Sequence, residues 1–277
     1  MKILFCGDIV GSCGRNIVKN KLPQLKKELN LDFVIANVDN ASGGFGVNQN
    51  AADELISCGA DVLTGGDHIW DQKETISFIN NYPQLLRPLN FPGDTPGAGA
   101  RIFSVSGGKK ILVIHLLGQV FIKYHLNCPF AAVQELLKNY QLGKNIDAII
   151  VDFHAEATSE KMAMAKFLDG RVSMVVGSHT HIPTNDFHIM KGGTAYQSDA
   201  GMCGDYDSII GMEYASLLRS FLNKRKAPKM IPANNAATFC AVFAEIDDKS
   251  GLAKSINPIK IGGVLQQFRQ DNFLAKA

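Results

Sequence analysis

Eight residues have the types and placement needed for metal chemistry: Asp8, Asp39, Asn40, Asp67, His68, His154, His179 and His181. Each comes just after a short apolar run. Asp8 follows Ile3–Cys6, and Asp39 and Asn40 follow Phe33–Ala36. Asp67 and His68 follow Asp61–Leu63, His154 follows Ala148–Val151, and His179 and His181 follow Val172–Val176. In open α/β sheets, ligands bind beyond the carboxyl ends of the strands. Five strand ends would therefore bring oxygen and imidazole donors to one edge. Taken singly, some have plainer readings. Asp8 could cap a helix, and Asp67 could cap a helix beginning near Trp70. His68 could merely orient a ligand. His115 and His188 stand apart and read as structural histidines.

The sequence Gly-Ser-His-Thr-His at 177–181 closes one of these runs. In an extended chain, residues i and i+2 share a side, which would aim His179 and His181 at neighbouring ions. Imidazole suits iron, manganese and zinc, while carboxylate and amide oxygens suit manganese and magnesium. The mixed set fits two transition ions sharing a bridging carboxylate. Such ions, about 3.5–4 Å apart, hold a phosphoryl group and acidify bound water. Rival motifs are weaker. Gly7–Gly14 is neither G-x-G-x-x-G nor a P-loop. Ser12 has no spaced His and acid partners of a serine nucleophile.

The elements that must hold these residues alternate. The apolar runs, with Ile111–His115 added, lack clean polar alternation and read as buried strands. Residues 15–29, 131–138 and 157–168 read as helices between them. This alternation implies a largely parallel sheet. Residues 186–197 and 237–246 read as antiparallel strands, which a second sheet packed on the first would accommodate. The segment Arg87–Arg101, rich in Gly and Pro, reads as a loop. Residues 199–235 read as irregular, an insertion or lid.

Composition sets outer limits. The chain has 277 residues, 46% hydrophobic and 19% charged, with a formal charge of +2. This is ordinary globular material, and nothing global favours nucleic acid or an anionic membrane. The nearest basic run, Lys224, Arg225, Lys226 and Lys229, reads as a solvated loop. Six scattered cysteines form no C-x-x-C pair and read as reduced and mostly buried. The longest apolar stretch, Ile111–Ile122, is too short to span a bilayer. The expected setting is the cytoplasm.

These residues lie in segments that resemble a known family. Gly7-Asp8-Ile9-Val10-Gly11, Asp39-Asn40-Ala41-Ser42-Gly43-Gly44 and Gly66-Asp67-His68-Ile69-Trp70-Asp71 are three of them. Leu86-Arg87-Pro88, His154, Gly177–His181 and the loop Gly201–Asp207 with Gly211 complete the series. In this order they resemble the calcineurin-like metallophosphoesterases. The resemblance is closest to the bacterial YmdB-like branch, whose members include cyclic-nucleotide phosphodiesterases. It implies an α/β fold, a four-layer α/β/β/α sandwich of two packed mixed sheets flanked by helices, as one domain over 1–277. It implies one metal on Asp8, Asp39, Asn40 and His181, and another on Asp39, Asp67, His154 and His179, with Asp39 bridging. Iron or manganese is the first expectation; zinc or magnesium would also serve. His68 would protonate the leaving oxygen.

The branch usually carries Glu at position 39 and Asn at position 67, so Asp39 and Asp67 are departures. Asp39 is one methylene shorter. Asp67 adds a negative charge, which favours a hard dication and repels an anionic ester, so activity could be reduced or changed. The implied reaction is metal-dependent hydrolysis of a small phosphodiester, a cyclic nucleotide first, by activated water. The alternatives are a phosphomonoesterase or phosphoprotein phosphatase, and a metal- or nucleotide-binding regulator with little catalysis. A stable nucleic-acid partner and a membrane are not expected, and a homo-oligomer is left open.

Overall fold

A computed structural model describes residues 1–223 and 230–269. The chain opens with β1 (Lys2–Cys6) and the short β2 (Asp8–Ile9), then α1 (Gly11–Glu28), β3 (Phe33–Asn37), α2 (Gln49–Ser57) and β4 (Val62–Thr64). A one-turn helix α3 (Thr75–Phe78) and β5 (Leu85–Leu86) follow. Then come β6 (Ala100–Ser104), β7 (Lys110–Leu117), α4 (Pro129–Leu136), β8 (Ala148–His154), α5 (Thr158–Leu168) and β9 (Met174–Ser178). The last part holds β10 (His188–Ile189), β11 (Ala195–Gln197), β12 (Met202–Asp205), α6 (Tyr214–Asn223), β13 (Ala237–Ile246) and β14 (Ala253–Gly262).

Two mixed sheets form. The first has the order β2-β12-β13-β1-β3-β4-β5, with β14 beside β13. Strands β1, β3, β4 and β5 run parallel, and β13 runs antiparallel to β1, pairing Phe5 with Val242. The second has the order β10-β11-β9-β8-β7-β6. Its strands β7, β8, β9 and β11 are parallel, between antiparallel edges.

The apolar runs lack alternation because both faces of each strand are covered. Ile3, Phe5 and Ile35 of the first sheet pack against Val113, Ile150 and Val176 of the second. On the other face, Leu4 and Val34 meet Val18 and Leu22 of α1 and Leu55 of α2. Ile149 and Val151 meet Met164 and Leu168 of α5. The layers are thus helix, sheet, sheet, helix, as the family resemblance implied.

Several expectations need correction. The late strand at 237–246 lies in the first sheet beside β1, because its apolar face completes the inter-sheet core. The second sheet is built around the parallel strands β7, β8 and β9, and residues 186–197 join it as β10 and β11. Within 186–197, β10 and β11 are antiparallel to each other, but β11 runs parallel to β9. The stretch 199–235 is not simply irregular. It supplies β12, paired to β2 and β13, and the helix α6. The basic run Lys224, Arg225, Lys226 and Lys229 lies outside the described residues. Arg87–Arg101 is a loop up to Ala100. The Arg87 guanidinium closes it on itself, donating to the carbonyls of Pro88 (2.7 Å), Thr95 (3.2 Å) and Pro96 (3.2 Å). Among the described residues, no helix is long and apolar enough to cross a membrane.

Candidate active site

The carboxyl ends of β1, β3 and β4 in the first sheet, and of β8 and β9 in the second, open on the same edge of the sandwich. The eight residues named above converge there. His154 Nε2 lies 3.2 Å from Asp67 Oδ1, 3.3 Å from Asp39 Oδ2 and 3.1 Å from His179 Nδ1. His179 Nδ1 is 3.3 Å from Asp67 Oδ1. His181 Nε2 is 3.1 Å from Asn40 Oδ1. Asp8 accepts the His179 backbone N–H at 3.2 Å, and its Oδ1 lies 3.8 Å from His154 Nδ1. His68 donates its backbone N–H to Asp39 Oδ1 at 2.9 Å.

Neither capping role is found. α1 starts at Gly11 with Val10 as its flanking residue, and Asp8 belongs to β2. Residues 67–70 form a turn rather than a helix start, and Asp67 faces two imidazoles.

The histidine pair reaches the site by a route other than the extended chain expected for it. β9 ends at Ser178, and His179 and His181 have φ of +99° and +67°. Such left-handed backbone is strained for a residue with a Cβ and needs support from its surroundings. The support is a buried ion pair. Lys161 Nζ on α5 meets Asp199 Oδ2 at 2.8 Å. That same oxygen accepts the N–H (3.1 Å) and hydroxyl (2.6 Å) of Thr180, the residue between the two histidines.

The outer nitrogens of the three imidazoles are all occupied. His154 Nδ1 lies 2.9 Å from Ser178 Oγ, which donates its own proton to Asp152 Oδ1 at 2.6 Å and therefore accepts from the ring. His179 Nε2 meets Glu156 Oε2 at 3.1 Å. His181 Nδ1 donates to the Ile210 carbonyl at 2.7 Å. With the outer nitrogens carrying the protons, the inner ones present lone pairs. Partners of this kind are what orient histidines around a metal. Beneath them, Asp152 is also held by Asn37 Nδ2 (3.0 Å) and by His115 Nδ1 (3.2 Å), so His115 is the structural histidine it seemed.

Such an edge needs positive charge. Two ring nitrogens and a carboxylate oxygen face one another at 3.1–3.3 Å. Asp39 Oδ2 is buried and makes no hydrogen bond, which is costly for a charged oxygen without a cation to meet it. Asp67, His154 and His179 each present a donor atom within 4.8 Å of the others, and so do Asp39, Asp67 and His68. Hard carboxylate oxygens mixed with imidazoles fit transition ions. Gly66 makes room for the cluster, because a Cβ there would lie 2.5 Å from Asp39 Cγ and 2.6 Å from His154 Nε2.

Protonation follows the same charges. Burial pushes Asp8 up to about 7, against the pull of His154. Burial also depresses His181. His154 is buried, which would lower it, but Asp39 and Asp67 raise it well above the usual histidine range. His68 is likewise raised, by Asp39, Asp67 and Asp71 against its partial burial. Its Nδ1 meets Asp71 Oδ2 at 2.8 Å, and the Phe45 ring stands edge-on to it with centroids 5.0 Å apart.

Sequence reasoning missed Glu156, Asp152, Ser178, Lys161 and Asp199. The first three flank named residues in the chain, which was the available signal. The larger groove of 710 Å³ between Lys26, Asp61 and Arg101 lies at the opposite end of β3 and β4 and contains none of the cluster.

Comparison with known proteins identifies the chain's relatives. A family model described as YmdB-like protein matches residues 4–259. The 2′,3′-cyclic-nucleotide 2′-phosphodiesterase of Bacillus subtilis (strain 168) is 43% identical over 262 residues, covering 94% of this chain and 97% of that one. A crystal structure of a novel phosphatase from Mycoplasma pneumoniae superposes with a TM-score of 0.88 at 33% identity, covering 100% of this chain and 97% of that one. The calcineurin-like phosphoesterase YfkN of Bacillus subtilis shares the fold, with a TM-score of 0.50 at 12% identity over 94% of this chain and 90% of that one. With its model matched over almost the full length and a relative this similar across both chains, the chain belongs to the YmdB-like family.

Proposed function

We propose that this protein is a metal-dependent phosphodiesterase that hydrolyses a small cyclic phosphodiester. A nucleoside 2′,3′-cyclic phosphate is the substrate its Bacillus subtilis relative points to. The observation that carries the proposal is the convergence of His154 and His179, their outer nitrogens tied by Ser178 and Glu156, with Asp39 and Asp67, while His181, tied to the Ile210 carbonyl, meets Asn40 beside them. In this reading Asp8, Asp39, Asn40 and His181 hold one ion. Asp39, Asp67, His154 and His179 hold the other, with Asp39 shared. The mixed donors favour iron or manganese, with zinc and magnesium also accommodated. Bound there, such ions supply Lewis acidity toward a phosphoryl group and acidify water.

The chain's own groups do the rest. Ser178, Glu156 and the Ile210 carbonyl keep His154, His179 and His181 in the tautomers that leave the inner nitrogens free. His68 retains a proton because Asp39, Asp67 and Asp71 stabilise its charged form. Asp71 ties its Nδ1, so the Nε2 proton is the one available to the departing alkoxide. The six unpaired cysteines agree with a cytoplasmic setting.

Elemental analysis of the purified protein, followed by turnover of bis- and mono-p-nitrophenyl phosphate and of 2′,3′- and 3′,5′-cyclic nucleotides, tests the proposal. Two metal equivalents and preference for the diester and the 2′,3′-cyclic substrates are expected. Preference for the monoester would replace this reading with a phosphomonoesterase. Absence of turnover with full metal would replace it with a binding regulator.

A further inference from the structure

The cavity at the cluster has a volume of 270 Å³ and two unlike kinds of lining. Part of the lining is the polar edge described above, with Asp39, His68 and His179. The rest includes an apolar wall of Phe45, Ile210, Met212 and Met230, three of which, Phe45, Met212 and Met230, belong to one hydrophobic cluster. Phosphate binding makes no use of such a wall.

The wall is built into the fold. Met212 is 3% exposed and packs with Val10, Met202 and Leu217, so the wall rests on a core cluster. Residues 209–212 form a tight turn closed by reciprocal backbone hydrogen bonds between Ile209 and Met212, at 3.0 and 2.9 Å. In this turn Ile210 has φ of +49°. A β-branched residue there is a genuine conformational outlier, and strain of this kind gathers at ligand sites. The strained residue performs two tasks. Its carbonyl accepts from His181 Nδ1, and its side chain, 48% exposed, lines the cavity. Phe45 is fixed from the other direction by its edge contact with His68. Thioether and aromatic side chains suit a flat, polarisable ring better than a charged or strongly hydrated group.

We infer that the wall formed by Phe45, Ile210, Met212 and Met230 is a nucleobase subsite that selects cyclic phosphodiesters carrying a base over the bare sugar phosphate. The inference rests on the phosphodiesterase reading and adds the residues that choose the substrate. Base stacking on aromatic and apolar groups tolerates different bases, so selection is for the presence of a base rather than for its identity.

The test compares kcat/KM for adenosine 2′,3′-cyclic phosphate with that for methyl ribofuranoside 2′,3′-cyclic phosphate, which lacks the base. The manganese-loaded wild type is measured beside Phe45→Ala and Ile210→Gly. The second variant removes the side chain, keeps the carbonyl that holds His181, and suits a positive φ. The wild type should prefer the nucleotide, and each variant should reduce that ratio by about tenfold, the scale on which apolar pockets discriminate. A wild type that treats both substrates alike, or variants whose ratio is unchanged because both rates fall together, would overturn the subsite. Failure of the phosphodiesterase reading looks different, as no turnover of either substrate by the wild type. Calorimetric binding then decides. Adenosine 3′-monophosphate binding at least tenfold tighter than ribose phosphate upholds the subsite, and a smaller difference overturns it.

Discussion

Replacing Ser178 by Ala tests whether the hydrogen bonds behind the imidazoles govern metal binding. Ser178 Oγ accepts from His154 Nδ1 at 2.9 Å and donates to Asp152 Oδ1 at 2.6 Å, and all three residues are fully buried. Without the hydroxyl, Asp152 keeps Asn37 and His115. His154 keeps no comparable acceptor on that side, since Asp8 Oδ1 is 3.8 Å away. The proton is then free to move to Nε2, which turns the inward nitrogen from a ligand into a donor. Loss of such a supporting partner lowers metal affinity by about 10–100-fold. A stranded buried donor also costs about 1–3 kcal/mol of fold stability. Two measurements separate the effects. Manganese is titrated calorimetrically into metal-free wild type and Ser178→Ala, and urea unfolding of both is followed in chelator. The expectation is a Kd raised at least tenfold together with a lower unfolding midpoint. A lower midpoint with Kd within twofold of wild type would refute the reasoning, because Ser178 would then support the fold and not the ligand.

Three further outcomes follow from the same geometry. Asp67→Asn should change manganese affinity and raise turnover severalfold, because it removes a charge beside His154 and His179 that repels an anionic ester; superimposable metal titrations and activity curves would count against Asp67 as a ligand. His68→Ala should retain its metal yet lose about 10²–10⁴-fold in turnover of an alkyl-leaving-group diester, and a normal rate on that substrate would remove His68 as the acid. Protons compete with cations for Asp8, which burial pushes up to about 7, and for His154, which Asp39 and Asp67 hold well above the usual histidine range; manganese affinity should therefore fall as pH drops, by roughly tenfold per unit for each proton displaced, with the Asp8 contribution entering below about 7, and a flat profile between pH 5 and 7 would contradict this.

Much of the site was legible because buried parallel strands read as unbroken apolar runs, and ligands follow their carboxyl ends. Asp8, Asp39, Asn40, Asp67, His68 and His154 all sit where that rule put them. His179 and His181 also arrive, but through left-handed backbone, a conformation no residue type there announced. The supporting shell was hidden for a different reason. Ser178 and Asp152 are 26 residues apart, and Lys161 and Asp199 are 38 apart, so sequence shows the groups but not their pairing. Strands of two to four residues, such as β2, β5 and β12, are too short to carry a period. β14 escaped because Lys254, Asn257, Pro258 and Lys260 interrupt its apolar character. Its partner β13 was plain in the sequence, but its place beside β1 depends on distant pairings such as Phe5 with Val242, 237 residues apart.

The donors are divided between the two sheets. Asp8, Asp39, Asn40 and Asp67 follow strands of the first, and His154, His179 and His181 end or follow strands of the second. An ion held by both groups would act as a rivet across the seam where the layers meet. Its binding energy would then resist splaying of the sandwich at that edge, so that loading should slow backbone amide exchange in β3 and β8 together. The opposite end of the seam, where Met1, Phe33 and Ala148 pack, is held by apolar contact and by Asp248, which pairs with the Met1 amine and with Lys109 at 2.7 Å each. The two ends of one core would therefore answer to different solvents: the first to chelators, the second to denaturants that weaken apolar burial.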